Sequence, residues 1–346
     1  MQIQVRTLLL FILIASGAVL AAPPQNRLDI YFIDVEGGAA TLIVTPLGQS
    51  VLIDCGWKEA DQRDAKRILH VASKLANLTK LDYFVSTHFH TDHFGSLSQL
   101  TRMIPITHYL DHARMKEDQE YDKNLYPEYL RLSESKRRVL KAGDVIPLQS
   151  GATPLKLSCV VSDGIPISHP VGKGHGPNPC CNSVALKEPD PSDNAKSIGL
   201  LLSFGNFEFL NLGDLTWNVE HSLVCPENRI GIVDLLMVTH HGMNISNNPA
   251  LVRAIHPKVT VMCNGPRKGG HPEVVSLLKS LAGLEAAYQL HRNVTTSEEE
   301  NTSRELIANW DENCQGRYIK ASVSPVGDSY QISIGPDGSA RAFSVQ

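Results

Sequence analysis

The sequence predicts an α/β protein, built as two mixed β/α halves of one compact domain. Strand-like apolar segments alternate with amphipathic helical segments along the chain. Several of these strands end directly in histidine or aspartate side chains. No low-complexity tract or linker divides the 346 residues, of which 42% are hydrophobic and 20% are charged. This composition excludes a disordered chain, a collagen-like fibre and a multi-spanning membrane protein.

The first half is predicted to begin with a strand series that leads into a helix and a short buried strand. A later segment rich in Gly, Pro, Asn and Asp is predicted to be a long surface loop. The predicted elements are strands over residues 28–35, 39–45, 51–53 and 81–86, an amphipathic helix over 59–78, a charged, exposed helix over 128–140 and the loop over 164–196.

The second half is predicted to hold a hairpin around Gly205-Asn206, then alternating strands and helices, and a C-terminal series of short strands. The predicted elements are strands over residues 197–204, 207–211, 233–239 and 259–263, helices over 216–224, 249–255 and 273–281, and short strands within 319–345.

The first 21 residues are typical of a secretory signal peptide. Arg6 is the only charge before an apolar stretch over residues 8–20, and small residues follow it. This stretch is shorter than the ~20 residues that span a bilayer, which favours cleavage after Ala21 over an uncleaved anchor. We therefore expect a secreted or periplasmic protein that has no membrane span after cleavage.

The net charge is close to neutral, with 32 basic and 36 acidic residues and a formal value of −4. This balance argues against an extended nucleic-acid footprint, which would favour a basic face. It leaves room for a small anionic substrate held by a local cluster of charges.

All seven cysteines follow the predicted signal peptide. Disulfides are allowed in an exported protein, but an odd number of cysteines cannot all pair within one chain. Cys180 and Cys181 are adjacent in the predicted loop, so we expect them to bridge outward. Cys55 and Cys263 end apolar segments and are expected to be buried thiols.

The strongest chemical signal is Thr87-His-Phe-His-Thr-Asp-His-Phe-Gly95, which immediately follows a predicted strand. Residues two apart in an extended segment share a face, so His88 and His90 can bind one cation together. If the chain then turns into a helix, Asp92 and His93 point towards a neighbouring position. Imidazole and carboxylate are suitable ligands for zinc, iron or manganese.

Two later strands end in residues of the same kind. One apolar strand ends in Gly213-Asp214, and a carboxylate in that position can bridge two cations. Another ends in His240-His241-Gly242.

Together these motifs resemble the metallo-β-lactamase-fold hydrolases, over roughly residues 28–290. Within that group the sequence is most similar to the extracytoplasmic hydrolase domain of bacterial DNA-uptake (competence) proteins. The shared features are Asp34-Val-Glu-Gly-Gly, Leu52-Ile-Asp-Cys-Gly56, Leu212-Gly-Asp214 and Val238-Thr-His-His-Gly242, with Ser246 just beyond.

The resemblance implies a four-layer αβ/βα sandwich over residues 28–290, with its site at the strand ends. Residues 291–346 would form a C-terminal extension whose short strands pack on that domain. Because the membrane helices of the competence channel have no counterpart, the chain resembles a free-standing exported relative. Asp54 matches the aspartate that lies behind the metal-binding loop in this family.

The resemblance also implies a dinuclear site with two divalent cations, zinc first and manganese or iron as alternatives. His88 and His90 would bind one cation, Asp92 and His93 the other, and Asp214 both. The last ligand would be His240, with His241 as the alternative; otherwise His241 faces the substrate. The superfamily usually has one more histidine that binds the first cation, and His169 and His175 are the candidates for it. Without this ligand the first cation could be weakly held, and the site could work with one metal.

The reaction implied is hydrolysis, with Asp92, Asp214 and His241 as the catalytic set. Paired cations would lower the pKa of a shared water, and the resulting hydroxide would attack phosphorus or an ester carbonyl. Because position 214 is an aspartate, the substrate that we expect first is a small or polymeric phosphodiester. A lactone or related ester is the second choice and a β-lactam the third. A non-catalytic binding protein on the same fold is the alternative of another class.

The segment Asn264-Gly-Pro-Arg-Lys-Gly-Gly-His271 follows a strand that should reach the same edge. Asn264, Arg267 and Lys268, with backbone N–H groups exposed by glycine, are candidates for binding a phosphate. An ordinary basic turn is the alternative.

Overall fold

The computed structural model describes residues 26–120 and 122–346; the predicted signal peptide over residues 1–21 lies outside them. Two mixed β-sheets, here called the first and the second sheet, form the centre of the molecule. The strands of the first sheet, in chain order, are β1 Leu28–Phe32, β2 Thr41–Val44, β3 Ser50–Ile53, β4 Leu81–Val85, β5 Ile106–Asp111, β6 Arg137–Val139, β18 Ile319–Val323, β19 Ser329–Ile334 and β20 Arg341–Ser344.

The second sheet is formed mainly by the second half of the chain. Its strands are β7 Val145–Ile146, β8 Leu155–Ser162, β9 Ile165–Pro166, β11 Gly199–Phe204, β12 Phe207–Asn211, β14 Leu235–Met237, β15 Val259–Met262, β16 Ala286–His291 and β17 Ile307–Asn309, and a separate pair consists of β10 Gly176–Pro177 and β13 Glu227–Asn228.

Side-chain alternation along the strands creates the layers. Leu28, Ile30 and Phe32 of β1 point into a core shared by the two sheets, where Phe32 packs edge-on against Phe209. Their neighbour Tyr31 points to the opposite face, which packs against helices. The outer face of the second sheet is covered by other helices in the same way. The result is the four-layer αβ/βα sandwich that the resemblance implies.

The helices on the outer faces are short, and local features explain where two of them begin. Pro272 begins α7, where its missing N–H costs no hydrogen bond. The side chain of Asn248 accepts from the N–H of Ala250 and so caps α6. The helices are α1 Arg63–His70, continued as a π-helix over Val71–Leu75, α2 Thr91–Phe94, α3 Leu97–Leu100, α4 Leu125–Ser133, α5 Trp217–Val224, α6 Pro249–Ala254 and α7 Pro272–Lys279.

The charged helix predicted over residues 128–140 is wrong in its second part. Helix α4 ends at Ser133, a 3-10 turn covers Glu134–Lys136, and the chain then forms β6, parallel to β5. The Arg137 guanidinium contacts the buried Asp111 carboxylate at 2.6 Å. This ion pair between neighbouring strands stabilises the extended conformation of β6.

The C-terminal strands are parts of the two sheets. β18 pairs antiparallel with β1, and β19 and β20 follow it outward at the edge of the first sheet. β17 pairs parallel with β16 at the edge of the second sheet. Residues 291–346 therefore contribute strands to both sheets.

Cys181 forms a disulfide with Cys225, 44 residues further along the chain. The expectation that Cys181 bridges outward is therefore wrong, whereas Cys180 carries a free thiol. Cys55 and Cys263 are buried free thiols, as predicted. In the described part of the chain, no helix is both long and apolar enough to cross a membrane.

Candidate metal centre

The carboxyl ends of the parallel strands in both sheets lie at one edge of the molecule. Asp54 follows β3 and His88 lies three residues beyond β4. From the second sheet, Asp214 follows β12, and His240 and His241 follow β14. Polar side chains from the two halves of the sequence thus meet at this edge.

Four buried side chains form the centre of this edge: Asp92, His93, Asp214 and His241. The Nε2 atom of His93 lies 3.2 Å from Nε2 of His241, 3.2 Å from Oδ2 of Asp214 and 3.3 Å from Oδ2 of Asp92. Nε2 of His241 lies 3.1 Å from each of the same two carboxylate oxygens. These are five of the six edges of a tetrahedron whose centre would lie about 2.0 Å from each donor, the distance of zinc from imidazole nitrogen. The donor set therefore fits a tetrahedral cation.

Hydrogen bonds behind the two histidines orient them for this role. Nδ1 of His241 lies 2.9 Å from the carbonyl oxygen of Cys263, which can only accept, so this nitrogen carries the proton. Nδ1 of His93 lies 2.8 Å from Oδ2 of Asp54. Asp54 also accepts from the backbone N–H and the hydroxyl of Thr87, at 2.8 Å and 2.7 Å. In both rings Nε2 is thereby left to face the cluster.

The electrostatics of the cluster also favour a positive charge among the carboxylates. Burial would raise the pKa of Asp214, but the adjacent His240, His241 and His93 hold that pKa well below its usual range. Burial would lower the pKa of His93, but Asp214, Asp92 and Asp54 raise it well above its usual range. The buried carboxylates thus hold a proton on the imidazole when no cation is bound, and a divalent cation would take its place.

His88 and His90 lie beside the four-residue cluster. The His88 ring is centred 4.1 Å from that of His93 and 4.7 Å from that of His90. Nε2 of His88 is fully buried and has no hydrogen-bond partner, and the same is true of Oδ1 of Asp214. Buried polar atoms seldom stay unpartnered, so these two atoms are further candidate donors to a ligand.

The sequence prediction gave the last ligand position to His240, with His241 as the alternative, and the geometry favours His241. Both residues have positive φ angles, 51° and 53°, so their side chains diverge and the ring centres lie 6.0 Å apart. Nδ1 of His240 lies 3.0 Å from the hydroxyl of Ser246, and its Nε2 lies 3.3 Å from Oδ2 of Asp214. His240 thus takes the flanking position that had been expected for His241.

The two candidates for the additional histidine lie elsewhere. His169 is exposed and lines a cavity of about 600 Å³ together with Val139 and Ile167. His175 is exposed on the loop that precedes β10. Within residues 26–120 and 122–346, neither belongs to a group of metal-type donors.

The three predicted substrate-binding residues have different environments. Nζ of Lys268 lies 2.5 Å from Oδ2 of Asp92 and 4.9 Å from the centre of the Trp57 ring, so this ammonium is at the cluster. The exposed Arg267 instead forms a two-point ion pair with Glu312. Asn264 is buried, and its amide donates to the carbonyl oxygen of His291 at 2.7 Å. The structure therefore does not bring Arg267 and Asn264 to the cluster.

The two glycines of the Asp34-Val-Glu-Gly-Gly motif allow close backbone approach beneath the site. A Cβ on Gly38 would lie 2.4 Å from the carbonyl oxygen of Asp92, and Gly37, with φ +91°, packs against Gly265 and Lys268. The motif thereby supports both the turn that carries Asp92 and the loop that carries Lys268.

Sequence reasoning missed Asp118 and Asp193. Asp118 Oδ2 accepts from Nε2 of His90 at 2.7 Å and from the N–H of Asp193 at 2.9 Å. The buried carboxylate of Asp193 accepts from the N–H of Phe89 and from His112. Both aspartates lie in polar segments without periodicity, so only their contacts reveal them. Asp193 thereby gives the buried His112 ring a hydrogen-bond partner.

Comparison with known proteins is consistent with this geometry. Residues 33–187 match the family model of the metallo-beta-lactamase superfamily. Among curated proteins, none matches the sequence significantly.

Solved structures resemble the chain at low sequence identity. One is a protein from Parabacteroides distasonis, provisionally named a metal-dependent hydrolase, with 17% identity, coverage of 77% of this chain and 94% of the other, and a TM-score of 0.43. CmlA, a diiron β-hydroxylase from Streptomyces venezuelae, has 15% identity, coverage of 68% and 44%, and a TM-score of 0.38. A motif mutant of a metallo-β-lactamase from Cronobacter sakazakii has 12% identity, coverage of 75% and 76%, and a TM-score of 0.33.

The protein thus has the metallo-β-lactamase fold, an α/β architecture with two mixed sheets. The matched residues 33–187 include the His88–His93 motif. The buried cluster of aspartate and histidine is consistent with the metal binding typical of this fold.

Proposed function

We propose that the protein is a metal-dependent hydrolase that uses two divalent cations, zinc first, to cleave a phosphodiester. The observation that carries this proposal is the tetrahedral arrangement of Asp92, His93, Asp214 and His241, all buried and with donor atoms 3.1–3.3 Å apart. The superfamily match of residues 33–187 supports hydrolysis as the reaction class.

The side chains divide into two donor groups. Asp92, His93 and His241 would hold one cation, His88 and His90 the other, and Asp214 would serve both. Such cations, when bound, acidify a coordinated water and stabilise negative charge that develops on the substrate. Asp54, which fixes the orientation of the His93 ring, contributes by keeping this donor group preorganised.

A phosphodiester is the preferred substrate because of the charges around the cluster. Lys268 contacts Asp92 while its side chain remains 28% exposed. Once a cation engages Asp92, the ammonium is free to bind an anionic oxygen of the substrate. His240, held by Ser246 next to Asp214, flanks the same position. The sequence likeness to the hydrolase domain of competence proteins supports the same choice, with this chain as a free-standing relative.

We also propose that the protein is exported after cleavage following Ala21. The internal Cys181–Cys225 disulfide supports this localisation, because such bonds persist in oxidising compartments. Sequencing the N-terminus of protein recovered outside the cytoplasm tests the proposal: Ala22 is expected, and an intact Met1 there contradicts it.

The substrate proposal is tested with metal-loaded protein and a panel of bis(p-nitrophenyl) phosphate, a simple lactone and a β-lactam. We expect turnover of the phosphodiester that is abolished by chelation and by Asp214→Asn. Lys268→Gln should raise KM for the anionic phosphodiester about tenfold, the effect of losing roughly 1.4 kcal/mol of binding. Arg267→Gln is the matched control, because its guanidinium is paired with Glu312.

Each contrary result has a distinct meaning. Turnover that survives complete metal removal contradicts the metal-dependent mechanism. Hydrolysis of the lactone or the β-lactam without hydrolysis of the phosphodiester would show that the substrate is an ester or a lactam instead. Metal binding with no turnover across the panel would favour a binding protein on the same fold.

A further inference from the structure

A second group of metal-type donors shares no residue with the candidate metal centre. It consists of Asp34, His291 and Cys314, whose donor atoms all lie within 4.8 Å of one another. Oδ1 of Asp34 lies 2.7 Å from Nε2 of His291, and Oδ2 of Asp34 lies 3.2 Å from Sγ of Cys314. A carboxylate, an imidazole and a thiol thus face one another in one place.

The three donors come from distant parts of the fold. Asp34 follows β1 of the first sheet, and His291 is the last residue of β16 in the second sheet. Cys314 lies in the segment that leads from β17 to β18. Asp34 and His291 are fully buried, whereas the free thiol of Cys314 is half-buried. The group therefore connects the two sheets with the segment that carries Cys314.

This combination of donor types favours zinc. Zinc binds imidazole and carboxylate at about 2.0 Å and thiolate at about 2.3 Å, which places pairs of tetrahedral ligands roughly 3.3–3.6 Å apart. The distance of 3.2 Å between Asp34 and Cys314 is close to this separation. The hydrogen-bonded pair of Asp34 and His291 would open by roughly half an ångström. A thiolate also selects zinc over harder cations such as Mn²⁺ and Mg²⁺.

The charges around the group allow a divalent cation to replace two protons. Nη1 of Arg67 lies 3.0 Å from Oδ2 of Asp34, and Nη2 lies 2.9 Å from Oε1 of Glu36. Burial would lower the pKa of His291, but its bond to Asp34 raises that pKa to about 9. The metal-free group with its two neighbours thus carries two positive and two negative charges. A divalent cation would displace one proton from His291 and one from Cys314, so the sum of charges stays at zero and no buried charge is left unbalanced.

A cavity of about 440 Å³ borders Cys314 and gives a cation a path to the group. Trp310 and Asn313 also line this cavity. Glu36 is held by Arg63 at 2.7 Å in addition to its contact with Arg67. Water from the cavity, rather than Glu36, would therefore complete the four ligands of the cation.

We propose that Asp34, His291 and Cys314 form a separate, structural zinc site that cross-links the two sheets. The site goes beyond the proposed hydrolysis and does not depend on it, because none of its three donors takes part in that reaction. The proton on His291 then belongs to the metal-free protein, and the bound cation would take its place.

The test uses Co²⁺ as a probe for a thiolate ligand in the whole protein. Metal-depleted protein is titrated with Co²⁺ while the Cys181–Cys225 disulfide is kept intact, so that these two sulfurs cannot bind the ion. A thiolate bound to Co²⁺ gives a charge-transfer absorption in the near ultraviolet, which imidazole and carboxylate ligands do not give. The wild type should show this absorption for one equivalent of Co²⁺, and added Zn²⁺ should abolish it by displacing the probe.

Two substitutions should remove the site. Cys314→Ser should lose the absorption and bind one Co²⁺ fewer than the wild type, with an unchanged circular-dichroism spectrum. His291→Ala should weaken the binding that produces the absorption at least tenfold.

Cys180→Ser is the matched control, because Cys180 is also a half-buried free thiol, and this variant should keep the absorption. A wild type without the absorption, or a Cys314→Ser protein that retains it, would overturn the proposal. Loss of the absorption in Cys180→Ser would also overturn it, because the thiolate would then come from another part of the chain. Failure of the proposed hydrolysis is distinguishable from these results, because it appears as missing turnover and does not change the absorption.

Discussion

Asp54 offers the sharpest test of how the site is supported, because it touches a predicted ligand without being one. Its carboxylate accepts from Nδ1 of His93 at 2.8 Å and makes two further bonds to Thr87. The substitution Asp54→Asn keeps the size of the side chain. It also suits the backbone, where φ is +59°, since asparagine tolerates this left-handed conformation. The change therefore removes charge and one acceptor while leaving the local shape intact.

The expected magnitude follows from the bonds that are lost. The amide introduced by Asp54→Asn can still accept from the N–H of Thr87. It cannot also accept from both the Thr87 hydroxyl and Nδ1 of His93, as the carboxylate does. A charge-assisted hydrogen bond contributes about 1.5–3 kcal/mol. A loss of roughly 2 kcal/mol in the binding of the cation at His93 corresponds to about a thirtyfold weaker affinity, within the 10–100-fold range typical of such partners.

The assay is competition for Zn²⁺ between the protein and a chelator of known affinity. Asp64→Asn is the control, because Asp64 is also buried and ionically paired but contacts Arg63 and the N–H of Trp57. It should lower stability and leave the zinc affinity unchanged. The reasoning is refuted if folded Asp54→Asn protein binds zinc within threefold of the wild type.

Three further outcomes concern stability, each measured by urea unfolding. Burial raises the pKa of Glu220 to about 7. Its contribution to the free energy of unfolding is present below pH 4.5 and is lost as pH rises through 7, a decrease of up to about 3 kcal/mol. Glu220→Gln should flatten this pH dependence. Burial would lower the pKa of His291, but its bonds to Asp34 and Cys314 raise that pKa to about 9. Its contribution to the free energy of unfolding is therefore present below about pH 6.5 and is lost as pH rises through 9. His291→Phe should not show this loss. Reducing the Cys181–Cys225 disulfide, which spans 44 residues, should cost up to about 4 kcal/mol, whereas a double serine variant should be insensitive to reductant.

One part of the site that the sequence predicts is encoded locally. His88, His90, Asp92 and His93 lie within six positions after one strand, so their proximity needs no knowledge of the tertiary fold. The choice between His240 and His241 is different, because it depends on two consecutive positive φ angles that no local pattern indicates.

Long-range pairing accounts for the other differences. Arg267 was a candidate for binding phosphate, but Glu312, 45 residues further along the chain, pairs with it. Arg137 lies in a charged segment with helical character, but Asp111 on the neighbouring strand holds it in β6. In each case the decisive partner is distant in sequence, and composition gives no sign of which acidic residue will be chosen.

The division of the donors between the two sheets has a thermodynamic consequence. Asp92 and His93 come from the first sheet, whereas Asp214 and His241 come from the second. Neither half can form the tetrahedral group alone, so a cation held by this group would bind the assembled sandwich more tightly than the unfolded chain. A cation at a hundred times its dissociation constant would add about 2.7 kcal/mol to the free energy of unfolding. Asp214 and Asp92, two of the carboxylates that raise the pKa of His93, would bind the same cation, which would thereby join the two halves of the fold.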